Sequence, residues 1–566
     1  MGKDLPEAYE YWCDRIRADD CMWGIVKTDH ESKLGNFQQL SYQMINTLPC
    51  SKDDVKAIAQ DSIDYVELIK SNNDEFEKFL RKNANEINHY EMLADLYAHN
   101  NDFAESKWFR EEKRKIISNY VHKLRKGKIF VEGDNLTVFG NPYALLLYSV
   151  GEDWSDDPTF QQESGCIQCY TPRFSSNEYL AAFRNPHNSP NNVCYMHNVY
   201  SKYFERYFEL SNNIMAVNCI GTDVQDRCNG EDFDSDFNLV TNHPTIVRCA
   251  KHCYGNYPTI VNSLNENGMT YGNTKTDYSN MDNKFSGSQM GIGWSSNLAQ
   301  LAMTYYWTEL AKDEPDENKL KELYDNFVIL SVLAQVIIDG CKRVYEIDGE
   351  DEIKRISQLP CMSLTKQIED ENGKTKTIKC DFPEFMKYTR EIKYTKDGKD
   401  LPLETISKNK SKLRNRINYD LQCPMNWLEE WLDKIQNISS NNSIHTKEFF
   451  IKMQGDANRR QMSKIQKLAE CWDGYIKNYT ITKNDNDAFF CMVDVSRGIV
   501  DELSKIKIGN IVTINRLVEL ALGLSNEVGA SHKRKYDPSK YTRKVLNLLY
   551  KSNKDKFLAN FIVKNA

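Results

Sequence analysis

The chain lacks an apolar run long enough to cross a membrane. Its most apolar stretch extends from Phe327 to Ile338 and is flanked by Asp325 and Asp339. A membrane-spanning helix needs about 20 consecutive apolar residues, so this stretch predicts a buried helix of a water-soluble protein. The first residues also lack the charged start and apolar core of a secretory signal. We therefore expect a cytoplasmic protein with no membrane partner.

An excess of basic residues is missing as well. The 566 residues include 73 Lys and Arg against 81 Asp and Glu, which gives a net charge of −8 and a pI near 5.8. A protein that binds nucleic acid over its whole surface is normally basic. Any contact with nucleic acid must therefore come from local basic patches.

The sixteen cysteines have no regular spacing, which favours reduced thiols over a disulfide framework. One zinc site remains an alternative. Cys166 and Cys169 have the spacing of half such a site, and Cys249, His252 and Cys253 are candidates for the other half. That second spacing is wider than the usual C-x₂-C pair, so ordinary buried or surface thiols are the default interpretation.

Internal repeats and low-complexity segments are absent, and 40% of the residues are hydrophobic, as in globular proteins. A capping box at Ser51 to Asp54 predicts the start of a helix. The pattern divides the chain into a helical region at 1–126, a strand-rich region at 127–250, a helical region at 251–345, a charged insertion or linker at 346–423 and a helical domain at 424–566.

Short apolar segments separated by turn residues fill the strand-rich region. The candidate strands are 129–131, 136–139, 144–150, 179–183, 214–217 and 237–240. Many short strands at irregular spacing indicate a small closed barrel rather than alternating βαβ units. We therefore predict an α+β chain in which a barrel is embedded between largely helical regions.

Just before the last of these strands the sequence reads Asp232-Phe-Asp-Ser-Asp236, with three carboxylates at alternate positions. A solvated acidic turn is the simplest interpretation. An EF-hand loop beginning at Asp232 is excluded, because Phe237 and His243 replace the required Gly and Glu. The third interpretation is a site for phosphoryl or nucleotidyl transfer, since carboxylate oxygens suit magnesium. Gathering the three side chains on one or two ions requires a tight loop rather than a flat strand.

Three segments occur in an order that resembles a known family. They are Arg184-Asn-Pro186 followed by Pro190, Gly230-x-Asp232-x-Asp-Ser-Asp236, and Ile338-Asp-x-x-Lys342. The order is similar to that of the two-barrel RNA polymerases, which include the cellular RNA-dependent enzymes and phage-type single-chain enzymes. Their metal loop is DxDGD, and the resemblance covers about residues 127–345.

The resemblance implies a double-psi β-barrel and a template-dependent RNA polymerase that adds NTPs to an RNA 3′ end. Asp232, Asp234 and Asp236 would bind catalytic Mg²⁺, for which Mn²⁺ would be a substitute. Arg184 would contact the incoming nucleotide. The remaining candidates for substrate contact are Arg227, Lys342, Lys27 and Lys33. Nucleic acid template, RNA product and NTPs are the implied partners, in a bacterial or phage-infected cell.

Two features depart from the family pattern. Ser235 stands where the family has Gly, and only about 125 mostly helical residues precede the predicted barrel, where the family has a first barrel with catalytic lysines. Lys27 and Lys33 are candidates for the end of that first barrel. The chain therefore resembles the C-terminal part of a longer or split polymerase that needs a partner chain. The alternative is a non-catalytic nucleic-acid-binding or assembly module derived from such a polymerase.

Overall fold

A computed structural model describes residues 5–18, 32, 34–265, 271–340, 343–369, 375–389, 416–439, 443–482, 486–524 and 542–564. The strands are β1 (Phe37–Gln39), β2 (Phe130–Phe139), β3 (Ile167–Tyr170), β4 (Tyr179–Phe183), β5 (Cys194–Asn198), β6 (Ile214–Val217), β7 (Phe237–Thr241), β8 (Thr365–Glu369), β9 (Thr375–Lys379), β10 (Phe382–Pro383) and β11 (Ile417–Asn418).

The helices of the same residues are α1 (Leu5–Ala18), α2 (Tyr42–Thr47), α3 (Lys52–Ser71), α4 (Asn73–Lys82), α5 (Tyr90–His99), α6 (Lys107–Leu124), α7 (Pro142–Ser149), α8 (Lys202–Tyr207), α9 (Val224–Arg227), α10 (Pro244–Asn256), α11 (Lys275–Leu310), α12 (Glu317–Asp339), α13 (Gly349–Ser357), α14 (Met386–Thr389), α15 (Pro424–Leu432), α16 (Arg459–Thr482), α17 (Asn486–Lys505), α18 (Ile511–Ala521), α19 (Thr542–Ser552) and α20 (Lys554–Leu558). None of the described helices combines the length and apolar character that a membrane span requires.

The chain forms two compact units. The barrel unit lies within 1–38, 131–187 and 191–263, and the helical unit lies within 39–130, 188–190 and 264–566. The boundaries of these two units do not coincide with those of the five regions that the sequence pattern indicates. The division into five regions stays a prediction.

Six strands of the barrel unit form a closed barrel. Their order is β2-β6-β3-β5-β4-β7, and β7 pairs back onto β2. The pairs β2–β6 and β3–β5 are parallel, and the other four pairs are antiparallel. β1 flanks the barrel beside β2. The predicted α+β class with a barrel is therefore confirmed, while its double-psi character stays an implication of the resemblance.

Alternate residues of each barrel strand fill the interior. Leu136 and Val138 of β2 lie there, as do Ile167 and Cys169 of β3. Further residues of the same cluster are Leu180, Ala182, Cys194, Met196, Met215, Val217 and Val240. This alternation follows from strand geometry, in which successive side chains point to opposite faces. The barrel is thus a packed core, and its loops are the parts available for chemistry.

One predicted strand is wrong. The apolar segment 144–150 lies almost entirely in helix α7, which begins with Pro142 in its first turn. Proline suits that position, because its fixed φ is helical and the first N–H groups of a helix need no partner inside it. Leu145 and Tyr148 of this helix are exposed. An apolar run without periodicity does not distinguish strand from helix, which explains the error.

The helical unit confirms two features read from the sequence. Ser51 and Asp54 form the predicted capping box at the start of α3, with each side chain accepting from the other residue's backbone N–H. The apolar stretch that begins at Phe327 lies in α12, where Phe327 and Leu330 are fully buried. α12 packs against α11, and the Ser295 hydroxyl of α11 donates to the carbonyl of Leu330 at 2.6 Å.

Candidate functional site

The acidic loop, residues 232–236, lies between α9 and β7 in the barrel unit. The chain leaves α9 through Asn229 and Gly230, whose φ angles of 59° and 72° are both left-handed. The backbone N–H groups of Gly230 and Glu231 both donate to the carbonyl of Gln225, at 2.9 and 3.0 Å. This tight reversal, which glycine permits, fixes the direction in which the acidic loop starts.

Two contacts attach the acidic loop to the end of β2. The backbone N–H of Val138 donates to the carbonyl of Asp236 at 3.0 Å. The Phe233 ring packs over Gly140, where an added Cβ would lie only 3.0 Å from the ring. The acidic loop is therefore supported near its start, through Phe233, by the residue that follows β2 and at its end, through Asp236, by β2 itself.

Arg184, directly after β4, contacts the acidic loop. Its Nη2 lies 2.7 Å from Oδ2 of Asp236, and its Nη1 donates to the carbonyls of Cys228 and Asn229. Oδ2 of Asp236 also accepts from the backbone N–H of Asp232 at 2.9 Å. The fork of guanidinium donors thus joins Asp236 to the reversal that precedes it. Two segments that are about 50 residues apart meet here.

Ser235 has a φ of +98°. Side chains other than hydrogen disfavour this region, in which glycine is unstrained. The position is the one at which the family pattern has Gly. The loop therefore adopts the backbone shape that glycine would favour, with a strained serine in its place.

The three carboxylates fit magnesium in chemistry but do not converge in this arrangement. Asp232 and Asp234 are exposed, and Asp236 is half-buried against Arg184. Hard oxygen donors of this kind are the usual protein ligands of magnesium. In the described part of the chain, however, the carboxylate oxygens of these three aspartates do not all come within 4.8 Å of one another. Holding one ion with all three requires Asp236 to leave or share its contact with Arg184.

Glu231 is a residue of this site that the sequence analysis missed. Its side chain is 1% exposed, although it directly precedes the exposed Asp232. Burial and, to a lesser extent, the charge of Asp236 raise the pKa of Glu231 to about 7, against the lowering effect of Arg184. Glu231 therefore places a second carboxyl group close to the Arg184–Asp236 pair. Nothing in the sequence marks it, because an acidic residue in an acidic run is usually solvated.

Arg227 does not take the position expected for a residue that contacts a triphosphate. It is 1% exposed, and its guanidinium donates to the carbonyls of Val193 and Tyr257 at 2.9 and 2.7 Å. The guanidinium also lies over the Tyr254 ring. These contacts join the start of β5 to the segment after α10. The expected substrate contact is therefore corrected to a structural role, because a buried and engaged guanidinium cannot reach a ligand.

Lys27, Lys33 and Lys342, the other expected substrate contacts, lie outside the described residues. Their proposed roles remain predictions.

The cysteine pair of the alternative zinc site is not assembled. Cys169 points into the barrel core, whereas Cys166 lies just before β3 and belongs to the opposite face. Successive strand residues alternate, so two cysteines three positions apart face different sides. In the described ranges, Cys166 and Cys169 do not join Cys249, His252 or Cys253 in a metal-sized group. This alternative is therefore wrong as a set, because among the described residues only Cys166 of its five ligands belongs to a group with the dimensions of a metal site.

No family model matches the sequence, and no curated protein matches it. Among solved structures, the chain is similar to the RNA-dependent RNA polymerase QDE-1 from Thielavia terrestris, with a TM-score of 0.43 and 12% sequence identity. The match covers 92% of this chain and 56% of that chain, so this chain spans about half of the neighbour's length.

Proposed function

We propose that this chain is the metal-binding, catalytic part of a template-dependent RNA polymerase, a nucleotidyltransferase that adds NTPs to an RNA 3′ end. The observation that carries the proposal is the 2.7 Å contact between Arg184 and Asp236. It brings together two segments that the resemblance assigns to one active site. The closed barrel supports both segments, since β4 ends just before Arg184 and β7 begins just after Asp236.

Asp232, Asp234 and Asp236 would hold Mg²⁺ or, in its place, Mn²⁺. When bound, the metal supplies activation of the RNA 3′-hydroxyl and neutralisation of the leaving pyrophosphate. Asp232 and Asp234 are exposed and therefore accessible to an ion and to substrate phosphates. Asp236 is positioned by the barrel through the Val138 contact.

Arg184 has two roles in this proposal. Without substrate it balances the charge of Asp236, which lowers the repulsion within the acidic loop. When the carboxylate turns to the metal, the guanidinium becomes available for the phosphates of the incoming NTP, which its planar fork of donors suits. Its contacts with the carbonyls of Cys228 and Asn229 keep it beside the loop during this exchange.

A second barrel that carries lysines would complete this site, as in the polymerases that the chain resembles, and a partner chain is the proposed source. Lys27, Lys33 and Lys342 are proposed to contact the nucleic acid or the NTP. Template and RNA product are the corresponding macromolecular ligands, and positively charged side chains are needed for both because phosphates dominate their affinity.

Replacement of Asp234 tests the proposal. Asp234→Asn keeps the shape of the side chain but removes the negative charge that a hard cation requires. We expect RNA synthesis from a primed template to fall by a factor on the order of 100 or more. The measurement is incorporation of labelled NTPs on RNA and DNA templates, with Mg²⁺ and with Mn²⁺, in the presence and absence of a lysine-bearing barrel from a related polymerase.

Asp156→Asn is the matched control, since Asp156 is an exposed aspartate of the barrel unit outside the acidic loop. It should retain wild-type incorporation. Equal activity of Asp234→Asn and wild type would contradict the proposal. Retarded migration of RNA with the wild-type chain, without incorporation under any of these conditions, would identify the non-catalytic binding module instead.

A further inference from the structure

Three potential metal ligands meet at the end of the barrel where β3 begins and β5 ends. They are Glu163, Cys166 and His197, and their ligand atoms all lie within 4.8 Å of one another. Oε2 of Glu163 lies 2.7 Å from Nδ1 of His197. Among the described residues this is the group that has the dimensions of a metal site.

The surroundings hold these side chains in place. The Gln168 side chain donates to Oε2 of Glu163 at 3.0 Å and accepts from the backbone N–H of Gln161 at 2.7 Å. The Tyr179 ring stacks on the imidazole of His197, with centroids 4.6 Å apart. Such contacts orient ligands and limit the freedom that binding an ion would otherwise remove.

The cluster is largely shielded from solvent. Cys166 is 5% exposed, and the side chains of His197 and Glu163 are 17% and 29% exposed. Glu163 is thus an oxygen donor that lies beside the imidazole and is largely screened from bulk water.

We propose that Glu163, Cys166 and His197 bind a Zn²⁺ ion, with a water molecule as fourth ligand. One sulfur, one imidazole nitrogen and one carboxylate oxygen are the donors of tetrahedral zinc sites. Magnesium and calcium are disfavoured, because they take oxygen ligands almost exclusively. A thiolate donor instead selects a softer ion such as zinc.

Zinc binding replaces two hydrogen bonds by metal–ligand bonds. The Cys166 thiol loses its proton to solvent and binds through the thiolate. Nδ1 of His197 donates to the Glu163 carboxylate in the present hydrogen bond. The imidazole proton therefore moves to Nε2 by exchange with solvent when Nδ1 binds the zinc, and the Glu163 carboxylate binds without losing a proton. With bonds of about 2.0 Å in a tetrahedron, the oxygen and nitrogen must lie about 3.3 Å apart. The present separation of 2.7 Å therefore has to widen by only about 0.6 Å.

This site is separate from the acidic loop. His197 pairs with Tyr179 at the first residue of β4, whereas Arg184 follows the last residue of that strand. Five residues of extended chain span about 17 Å. The zinc would link the segment before β3 to the end of β5 and would stabilise the barrel without entering the reaction.

The test uses the full chain, stripped with a chelator and then dialysed against ZnCl₂. We expect about one equivalent of zinc by elemental analysis and a rise in melting temperature. CoCl₂ in its place should give thiolate-to-cobalt charge-transfer bands. Cys166→Ser and His197→Gln should each weaken zinc binding by about tenfold or more and remove the rise in melting temperature. Far-UV circular dichroism confirms that both variants are folded.

Two controls separate this site from others. Cys249→Ser removes a buried thiol of α10 and should keep full zinc binding. Asp234→Asn should keep it as well, which separates this inference from the proposed polymerase site. Absence of zinc binding by the wild-type chain, or a cobalt complex without the charge-transfer bands, would show a hydrogen-bonded cluster only. Loss of zinc in Asp234→Asn but not in Cys166→Ser would move the ion to the acidic loop and overturn the assignment.

Discussion

At the scale of single residues, Ser235 carries backbone strain. A non-glycine residue with a φ of +98° loses on the order of 1–2 kcal/mol relative to glycine in the same conformation. The surrounding contacts of Phe233 and Asp236 hold the loop in this shape. The strain is thus maintained by the barrel and is not relieved locally.

Ser235→Gly should stabilise the protein. Glycine relieves the strain but has more freedom in the unfolded chain, so we expect a net gain of about 1 kcal/mol in the free energy of unfolding. Urea unfolding of wild type and variant measures this difference in the free energy of unfolding. Ser176→Gly is the control, since Ser176 is exposed in a turn and is not among the residues with positive φ. That variant should be destabilised, and an equal loss in Ser235→Gly would contradict the strain argument.

His187, three residues after Arg184, makes stability depend on pH. Its side chain is fully buried with its ring against that of Phe183, and burial lowers its pKa from 6.5 to about 3, with a further contribution from Arg227. The folded state therefore requires the neutral imidazole, whereas the unfolded chain binds a proton below about pH 6.5. The stabilisation is complete above pH 6.5 and is lost as the pH falls toward 3.

His187→Gln should remove this contribution. Between about pH 7 and pH 5, we expect the free energy of unfolding of wild type to fall by about 2 kcal/mol more than that of the variant. Urea unfolding at both pH values measures the difference, in which the other titrating groups cancel. If the free energies of unfolding of the two proteins changed with pH in parallel, the pKa of His187 would be the same in the folded and the unfolded state, which would contradict the prediction.

At the scale of elements, the acidic loop depends on close packing at the end of β2. A Cβ on Gly140 would lie 2.8 Å from Sγ of Cys219 and 3.0 Å from the Phe233 ring. Gly140→Ala should therefore displace Phe233 and, with it, the carboxylates on either side. A displacement of about 1 Å at an active site costs up to about 100-fold in rate, so we expect at least about a tenfold loss of incorporation with little change in unfolding.

Gly255→Ala is the matched control for that variant. Gly255 lies in α10, and an added Cβ there meets nothing within 4 Å. Its activity should equal that of wild type. Unchanged incorporation in Gly140→Ala would show that the Phe233 contact does not position the loop.

The sequence predicts these elements unevenly. β4, β6 and β7 are apolar and bounded by turn residues, so their positions follow from the pattern. β3 and β5 are not found in this way, because Gln168 and His197 interrupt their apolar residues. The segment 144–150 is equally apolar on every side and gives no periodicity from which its helix could be recognised.

At the scale of the whole molecule, the α+β class and the closed barrel could be predicted from the sequence. The contacts around the acidic loop could be predicted only in part. The resemblance assigns Arg184 and the acidic loop to one site, but it leaves the backbone shape at Ser235 open, because serine adopts a positive φ only at a cost. The burial of Glu231 and Arg227 did not follow, because burial depends on long-range packing. The Glu163–Cys166–His197 cluster was equally invisible, since strand pairing alone brings His197 to the other two.

The barrel closes through the pairing of its first strand with its last, and this determines when the acidic loop takes shape. Gly133 of β2 pairs with Thr241 of β7, more than 100 residues later in the chain. Contacts over such a distance form late, because the intervening chain must first be ordered. During synthesis β7 is also the last barrel strand to leave the ribosome. The three carboxylates are therefore set in their positions only at the final step of barrel folding, and a nascent chain that ends before Thr241 carries no assembled site.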